Sequence, residues 1–282
     1  NTKVDVRLEL SDTRSVGSLS NELKDLNGIN IVTTGGELKV VNRGNGYVLH
    51  TTVDDLPYLD MKPVQGTAEE VAVKIGEAVK LYAQSKFLRE LQLTDESNQV
   101  SVELVPVKAT VGIDQKFTVN EYIETRGRMD DKNAMVFSKD DQFVIKAKNS
   151  GNSDVYVTVI DIQPDGRINA ILVADNASNA KDLLLEAGQE KEFKVLIDGF
   201  GEPYGTEVFK IFITSKPLNL KPIIDAQGKI PSGTRGGNNP VENLFIDTYM
   251  GTRGPKVVGS MPATSSGTVT QITFRVDPNL KH

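Results

Sequence analysis

Histidine is the first residue type to consider for acid–base or metal chemistry, and the sequence contains two. His50 falls at the end of a predicted hairpin strand, without a cysteine, a second histidine or a carboxylate at metal-ligand spacing. His282 is the last residue. A serine hydrolase also needs a nucleophile on a strained turn, and no Gly-x-Ser-x-Gly segment is present. We therefore expect His50 to be an ordinary surface or half-buried imidazole.

Adjacent carboxylates are the next candidates for catalysis. They occur at Asp54 and Asp55, at Asp130 and Asp131, and at Asp140 and Asp141. Neighbouring residues on a strand point to opposite faces, so none of these pairs predicts the facing carboxylates of a glycosidase. Asp130, Asp131 and Asn133 could bind Ca²⁺ with backbone carbonyls, but they lack the spacing and the glycine of an EF-hand. A solvated turn is the better interpretation.

A glycine-rich segment, Gly199–Gly205, resembles a phosphate-binding loop only in composition. Phosphate loops open a helix, whose amides bind the anion, whereas here a strand is predicted to follow. The chain has no cysteine, which excludes thiolate zinc sites, iron–sulfur clusters and a cysteine nucleophile. The sequence therefore predicts no catalytic residue, no cofactor and no bound metal in this chain.

Composition restricts the classes of partner. The 282 residues carry a net charge of −6, with Lys and Arg dispersed, so we expect no nucleic-acid binding. No apolar run reaches the roughly 18–20 residues that span a bilayer, so we expect no membrane insertion. Asn1 stands where an initiator Met would be, which predicts that the chain is part of a longer protein. The compartment stays open: cytoplasm, cell envelope or outside the cell.

The first 95 residues predict a small α/β domain. Alternating apolar residues indicate a strand at Val4–Leu10, and Gly44-Asn45-Gly46 indicates a hairpin turn. The clearest helix begins after Thr67, which forms a capping box with Glu70. Its apolar side chains recur on one face and predict burial against a sheet; they are Ala68, Val71, Ala72, Ile75, Ala78, Val79 and Tyr82.

Residues 96–282 predict a β-sandwich domain. About seven short strands of period two, separated by turns such as Gln163-Pro164-Asp165-Gly166, favour an antiparallel immunoglobulin-like sandwich. The fold class of the whole chain is therefore α+β. A long segment rich in Gly, Pro and Ser, residues 222–267, interrupts the strands and predicts a loop with one short helix from Asn239 to Gly251.

The tripeptide Thr-Arg-Gly occurs three times, with its arginines at Arg126, Arg235 and Arg253. All three fall in predicted loops, and glycine-rich turn composition is enough to explain them. Arg-Gly bonds in loops also suit an arginine-specific protease, because loop tips are where cleavage concentrates. Arg235 and Arg253 are therefore candidate processing sites.

Three segments together resemble a known family. They are FVIKAKNSGNSDVYVTVIDIQPDGRINAILV at Phe143–Val173, EPYGTEVFKIFITSKPLNL at Glu202–Leu220, and the ending Thr252-Arg253-Gly254 followed by Thr270–Val276. In this order they resemble the uncharacterised β-domain that follows the caspase-like peptidase domain in many bacterial proteins. The resemblance covers about Ser101 to the end, and Val4–Leu91 would correspond to the linker between the two domains.

The resemblance implies an accessory role without catalysis in this chain. A caspase-like dyad uses a His followed by Gly, and a Cys; here His50 is followed by Thr51 and no Cys exists. The implied partner is a caspase-like domain upstream, or another protein, which this region would regulate or supply with docked substrates. The alternative is an adhesion or glycan-binding module at the cell surface. A hidden carboxylate hydrolase is the third possibility left open.

Overall fold

The computed structural model describes residues 3–24, 29–53, 55–114, 116–124, 128–130, 134–174, 180–225 and 267–280. These residues form an α+β structure, mostly strands arranged in three sheets, with two long helices. The chain divides into two compact units, the first running to Glu90 and the second beginning at Leu91. The short stretch Asp165–Arg167 groups with the first unit.

The first unit contains a four-stranded sheet and two helices. Its elements are β1 (Val4–Glu9), α1 (Thr13–Lys24), β2 (Ile29–Val32), β3 (Leu38–Arg43), β4 (Gly46–Thr51), a 3-10 turn (Tyr58–Asp60) and α2 (Ala68–Glu90). The strand order is β2-β1-β3-β4, in which β1 is parallel to both neighbours and β4 is antiparallel to β3. The predicted hairpin is therefore confirmed, with Gly44 in the left-handed conformation at its turn.

Helix α2 begins where the capping box predicts. The Glu70 amide donates to Thr67 Oγ1 at 3.2 Å, and the Thr67 amide donates to Glu70 Oε2 at 2.9 Å, so two amides at the helix start are satisfied. Val71, Ile75 and Val79 are buried in one core with apolar residues of α1 and of the sheet. The predicted burial of this helix face is confirmed.

The second unit contains two sheets. Its elements are β5 (Val100–Val111), β6 (Phe117–Tyr122), β7 (Met135–Ser138), β8 (Gln142–Asn149), β9 (Val155–Ile162), β10 (Ile168–Leu172), β11 (Leu184–Leu185), β12 (Glu190–Asp198), β13 (Thr206–Thr214) and β14 (Gly267–Asp277). A short helix, α3 (Lys221–Asp225), precedes β14 in the chain, and from Pro222 on it groups with the first unit. One sheet has the order β12-β8-β5-β6; the other has β10-β9-β13-β14-β7, with β11 also paired to β9.

A single apolar core joins the two sheets of this unit. Phe143 on β8, Phe209 on β13 and Phe274 on β14 lie with ring centroids 5.0–6.1 Å apart, and all three are buried. Edge-to-face and tilted contacts at such distances add to the free energy gained by burying the rings. Apolar and polar residues alternate along these strands, and the apolar row of each sheet therefore faces the core.

The structure contains three strands, β6, β7 and β11, besides the seven predicted ones. β6 and β7 are edge strands of their sheets, and β7 and β11 have only four and two residues. β7 and β14 form a parallel pair, whereas the other described pairs of this unit are antiparallel. The predicted helix Asn239–Gly251 and most of the 222–267 segment lie outside the described residues.

Candidate functional site

His50 is buried, with 1% of its surface exposed, and is neither at the surface nor half-buried as expected. It lies on β4 directly opposite Lys39 on β3. Its Nδ1 lies 2.9 Å from the backbone oxygen of Asp55 and 3.0 Å from Asp55 Oδ1. A carbonyl oxygen can only accept, so Nδ1 carries the proton and donates to Asp55.

Asp55 connects this histidine to a lysine. Lys39 Nζ lies 2.9 Å from the same Asp55 Oδ1. The hydrogen bonds from Lys39 and then from His50 lower the pKa of the Asp55 carboxyl, so the side chain stays ionised to lower pH. The sequence search missed this cluster because Asp55 reaches His50 through a left-handed backbone, with φ of 57°.

The His50 cluster lacks the third member of a hydrolytic triad. In such a triad the second ring nitrogen of the histidine accepts a hydrogen bond from the nucleophile. His50 Nε2 is buried and has no hydrogen-bonding partner in the part of the chain that the structure describes. These contacts hold Asp55 against β3 and β4, and no hydroxyl of the described residues reaches the imidazole.

The other predicted carboxylates have structural contacts. Asp141 is buried, pairs with Arg128 at 2.8 Å and accepts the Ser138 amide at 2.7 Å, while its neighbour Asp140 is exposed. Asp130 Oδ1 accepts the Ala134 amide at 2.9 Å, which closes a turn. Across the described ranges, no three His, Asp or Glu side chains are grouped to hold a metal ion.

The glycine-rich segment Gly199–Gly205 connects β12 to β13, as predicted, and opens no helix. Gly199 and Gly205 both have positive φ, a backbone conformation that glycine adopts without steric cost where the chain reverses. The candidate processing sites Arg235 and Arg253 lie outside the described residues, as do Arg126, Asp54, Asp131 and Asn133.

The feature that sequence reasoning missed is a protruding hairpin, which we call the ribbon: Lys108–Val111 of β5 and Phe117–Tyr122 of β6. β8 pairs with β5 only as far as Val107, so beyond that point the ladder of β5 continues with β6 alone. β6 is an edge strand. An isolated two-stranded hairpin is only marginally stable in water. The side chains on the two faces of the ribbon are therefore described in turn.

One face of the ribbon is apolar. Val111 pairs with Phe117 and Ala109 pairs with Val119, and paired residues share a face. The extra residue Asn120 forms a bulge that brings Tyr122 onto the same face. We call these five side chains the ribbon face. The apolar alternation on both sides of Gly112 was the sequence signal for it.

The ribbon face is partly accessible. Val111 and Tyr122 are exposed, whereas Ala109, Phe117 and Val119 are half-buried. Ile113, at the tip of the hairpin, is fully exposed. The opposite face is polar: Lys108 and Glu121 form an ion pair at 2.7 Å, beside Thr110 and Thr118. Outward faces of packed sheets are ordinarily polar, and contiguous exposed apolar side chains mark interaction surfaces.

Comparisons with protein-family models, with curated proteins and with solved structures found no match to this chain. Within the described residues, no helix is both long enough and apolar enough to span a bilayer.

Proposed function

We propose that this chain is a non-catalytic accessory region that docks a protein partner, and that the partner is a bacterial caspase-like cysteine endopeptidase encoded upstream. The observation that carries the docking role is the partly exposed ribbon face on an edge hairpin. Proteins often bind a partner at an edge strand that carries an apolar row. The unpaired backbone groups of the edge can form hydrogen bonds with the partner, and the alternate side chains can pack against it. The caspase-like identity of the partner rests on the resemblance of residues 101–282.

The proposal extends to the fold of the second unit, as an immunoglobulin-like sandwich. Two sheets with a common aromatic core and mainly antiparallel pairing support it. The tight turns support it too: the Gly151 amide donates to Asn149 Oδ1 between β8 and β9, and the Arg167 amide donates to Asp165 Oδ1 between β9 and β10. Such a scaffold presents hairpins and edges for binding and leaves catalysis to another domain.

The adhesion or glycan-binding alternative fits the exposed surface less well. Sugar binding uses open aromatic faces, and the most exposed aromatic ring of the ribbon face, Tyr122, has Lys146 Nζ 4.1 Å from its centroid. Tyr122 also donates its hydroxyl proton to Glu192 at 2.9 Å. The remaining members of the ribbon face are mainly aliphatic, which favours a protein partner.

The first test is the coding sequence immediately upstream of Asn1. We expect it to encode a domain with a His-Gly pair and a cysteine nucleophile. That domain and this chain, produced as separate polypeptides, should bind each other in titration calorimetry. Val119→Glu, on the ribbon face, should weaken binding at least about tenfold. Thr118→Glu, on the polar face of the same strand, is the matched control. An upstream region without such a domain, or equal effects of both variants, overturns the proposal.

The non-catalytic part has its own test. We expect the purified chain not to hydrolyse Arg- or Lys-containing reporter peptides, because it lacks a thiol and His50 Nε2 has no hydroxyl partner among the described residues. Turnover that His50→Ala removes would contradict this expectation directly.

Arg235 and Arg253 remain proposed processing sites for the parent peptidase. The enzyme would be incubated with this chain and with a variant in which both arginines are alanine. We expect fragments ending at Arg235 or Arg253 from the native sequence alone. Identical fragments from the two substrates would rule out processing there.

A further inference from the structure

We propose that residues Asp55–Asp60, which we call the strap, are a lid that opens locally and exposes the buried imidazole of His50 to solvent. β4 is the last strand of its sheet, and the strap lies along its outer edge. Pro57 forms an antiparallel bridge with His50, and the Thr51 amide donates to the Leu56 oxygen at 3.1 Å. This lid belongs to the first unit and is independent of the docking role proposed for the ribbon.

A few polar contacts at Asp55 hold the strap closed, and we call them the clamp. His50 Nδ1 donates to both the backbone oxygen and Oδ1 of Asp55, and Lys39 Nζ lies 2.9 Å from the same Oδ1. The Asp55 side chain and Leu56 are each 59% exposed. Exposed ion pairs and hydrogen bonds contribute only modestly to stability, because water competes for both partners. The clamp can therefore open while the sheet stays folded.

Backbone strain in the strap favours opening. Asp55, Leu59 and Asp60 have φ of 57°, 56° and 51°, and no other non-glycine residue of the described ranges has a left-handed backbone. Such strain persists only while surrounding contacts impose it, and it is typical of switch segments. Here the contacts are the clamp at one end and Tyr58 at the other, which is 4% exposed and packs edge-to-face on Tyr82. Release of the clamp frees the Asp55 end, and Tyr58 stays anchored.

The imidazole supplies a second driving force for opening. With the proton on Nδ1, the lone pair of His50 Nε2 is a hydrogen-bond acceptor, and this atom is buried without a partner among the described residues. A buried acceptor without a partner has lost its hydrogen bond to water, and it regains that bond when the strap opens. Strain and an unsatisfied acceptor thus oppose a modest clamp, which predicts an open population on the order of 0.1–10%.

Acylation of His50 by diethyl pyrocarbonate measures the opening. The Nε2 lone pair forms a bond to a carbonyl carbon of the reagent and monoethyl carbonate leaves, so the reaction requires the ring to reach solvent. Peptide mass spectrometry separates His50 from His282, and free N-acetylhistidine is the reference. We expect His50 to react about 10–1,000-fold more slowly than the reference. The rate should stay constant up to about 1 M urea, because a local opening exposes little surface.

Two substitutions of Asp55 test the clamp. Asp55→Ala removes the carboxylate and disfavours the left-handed backbone, so it should accelerate acylation of His50 at least about fivefold. Asp55→Asn keeps an acceptor and tolerates that backbone, so it should accelerate acylation less. Asp114→Ala is the matched control, because Asp114 has a side chain that is also 59% exposed and a lysine partner at 2.8 Å, but it lies at the tip of the ribbon. Circular dichroism verifies that the variants are folded.

Several outcomes overturn the lid. An acylation rate that rises with urea in step with global unfolding would mean that His50 is exposed only when the whole unit unfolds. An unchanged rate in Asp55→Ala, or an equal acceleration by Asp114→Ala, would mean that the clamp does not control access to the ring. Reaction of His50 in the native chain as fast as N-acetylhistidine would mean that the strap does not cover the imidazole.

Discussion

Lys210 is the most deeply buried cation of the described residues, with no exposed surface in the middle of β13. It lies between Ile160 of β9 and Gln271 of β14, and its Nζ donates to Gln271 Oε1 at 3.0 Å. Burial lowers the pKa of the Lys210 ammonium to about 8, from 10.5. We expect this difference to appear as a pH dependence of the free energy of unfolding.

The sign follows from proton uptake. Between about pH 8 and pH 10.5 the unfolded chain holds the Lys210 proton while the folded chain has lost it. Stability rises with pH wherever the unfolded state binds more protons, so the Lys210 contribution increases across this window. Lowering the Lys210 pKa from 10.5 to about 8 corresponds to at most roughly 3 kcal/mol of unfolding free energy. Below about pH 8 both states are protonated and this contribution is constant.

Urea unfolding at intervals between pH 7 and pH 10.5 measures the effect. The comparison is between the native chain and Lys210→Met, in which the side chain has similar length and no charge. The difference in unfolding free energy between the two proteins should change by about 2–3 kcal/mol across the window, in favour of the native chain at high pH. Lys148→Met removes an exposed lysine from β8 and should show a difference that stays within about 0.5 kcal/mol.

A flat difference between the native chain and Lys210→Met would refute the reasoning. It would mean that the Lys210 ammonium is as well solvated in the fold as in the unfolded chain. A change of the same size in Lys148→Met would instead attribute the pH dependence to the whole charge of the protein. Titration of tyrosines and other lysines affects native and variant proteins alike, so it cancels in the differences.

Three further outcomes are expected. Ile75→Ala should lower the free energy of unfolding by about 2–5 kcal/mol, whereas the control Val73→Ala, at an exposed position of α2, should lower it by less than about 0.5 kcal/mol. An effect below about 0.5 kcal/mol at Ile75 would mean that its face of α2 is not in the core. Thr67→Ala should cost about 1 kcal/mol by removing a cap, and thermal melts with no shift would contradict this. Trypsin should cut at Arg235 and Arg253 before lysines within strands, as mass spectrometry of early fragments would reveal; first cuts elsewhere would remove this expectation.

Local patterns were enough to predict most helices and strands of this chain. The capping box at Thr67 and the 3.6-residue period predicted α2, because both depend on residues within one or two turns of each other. The turn residues Asp165 and Gly166 predicted the β9–β10 hairpin for the same reason: Gly166 takes a positive φ that it adopts without steric cost.

The elements and contacts that were missed depend on residues far apart or on backbone geometry. β7 has only four residues. Its parallel partner β14 lies more than 120 residues later in the chain, so no turn residue near β7 predicts the pairing. The His50–Asp55 contact requires the backbone of Asp55 to adopt the left-handed conformation, which the neighbouring residues do not predict. Burial of His50 could not be derived either, because its strand pattern is compatible with a covered or an open sheet face.

The sequence by itself determined that this chain has no cysteine and that its long helices fall before residue 91 and most of its strands after it, as in an α+β protein. Only the tertiary structure decided which apolar residues stay outside the core. Val111 and Phe117 have the same period-two pattern as core residues such as Phe209 and Ile211. The pattern specifies that a strand has an apolar face, but the register and length of neighbouring strands decide whether another sheet covers it. Along β5 the core residues Val102 and Leu104 alternate with the row that contains Ala109 and Val111, so the ribbon face lies on the side of the sheet away from the core.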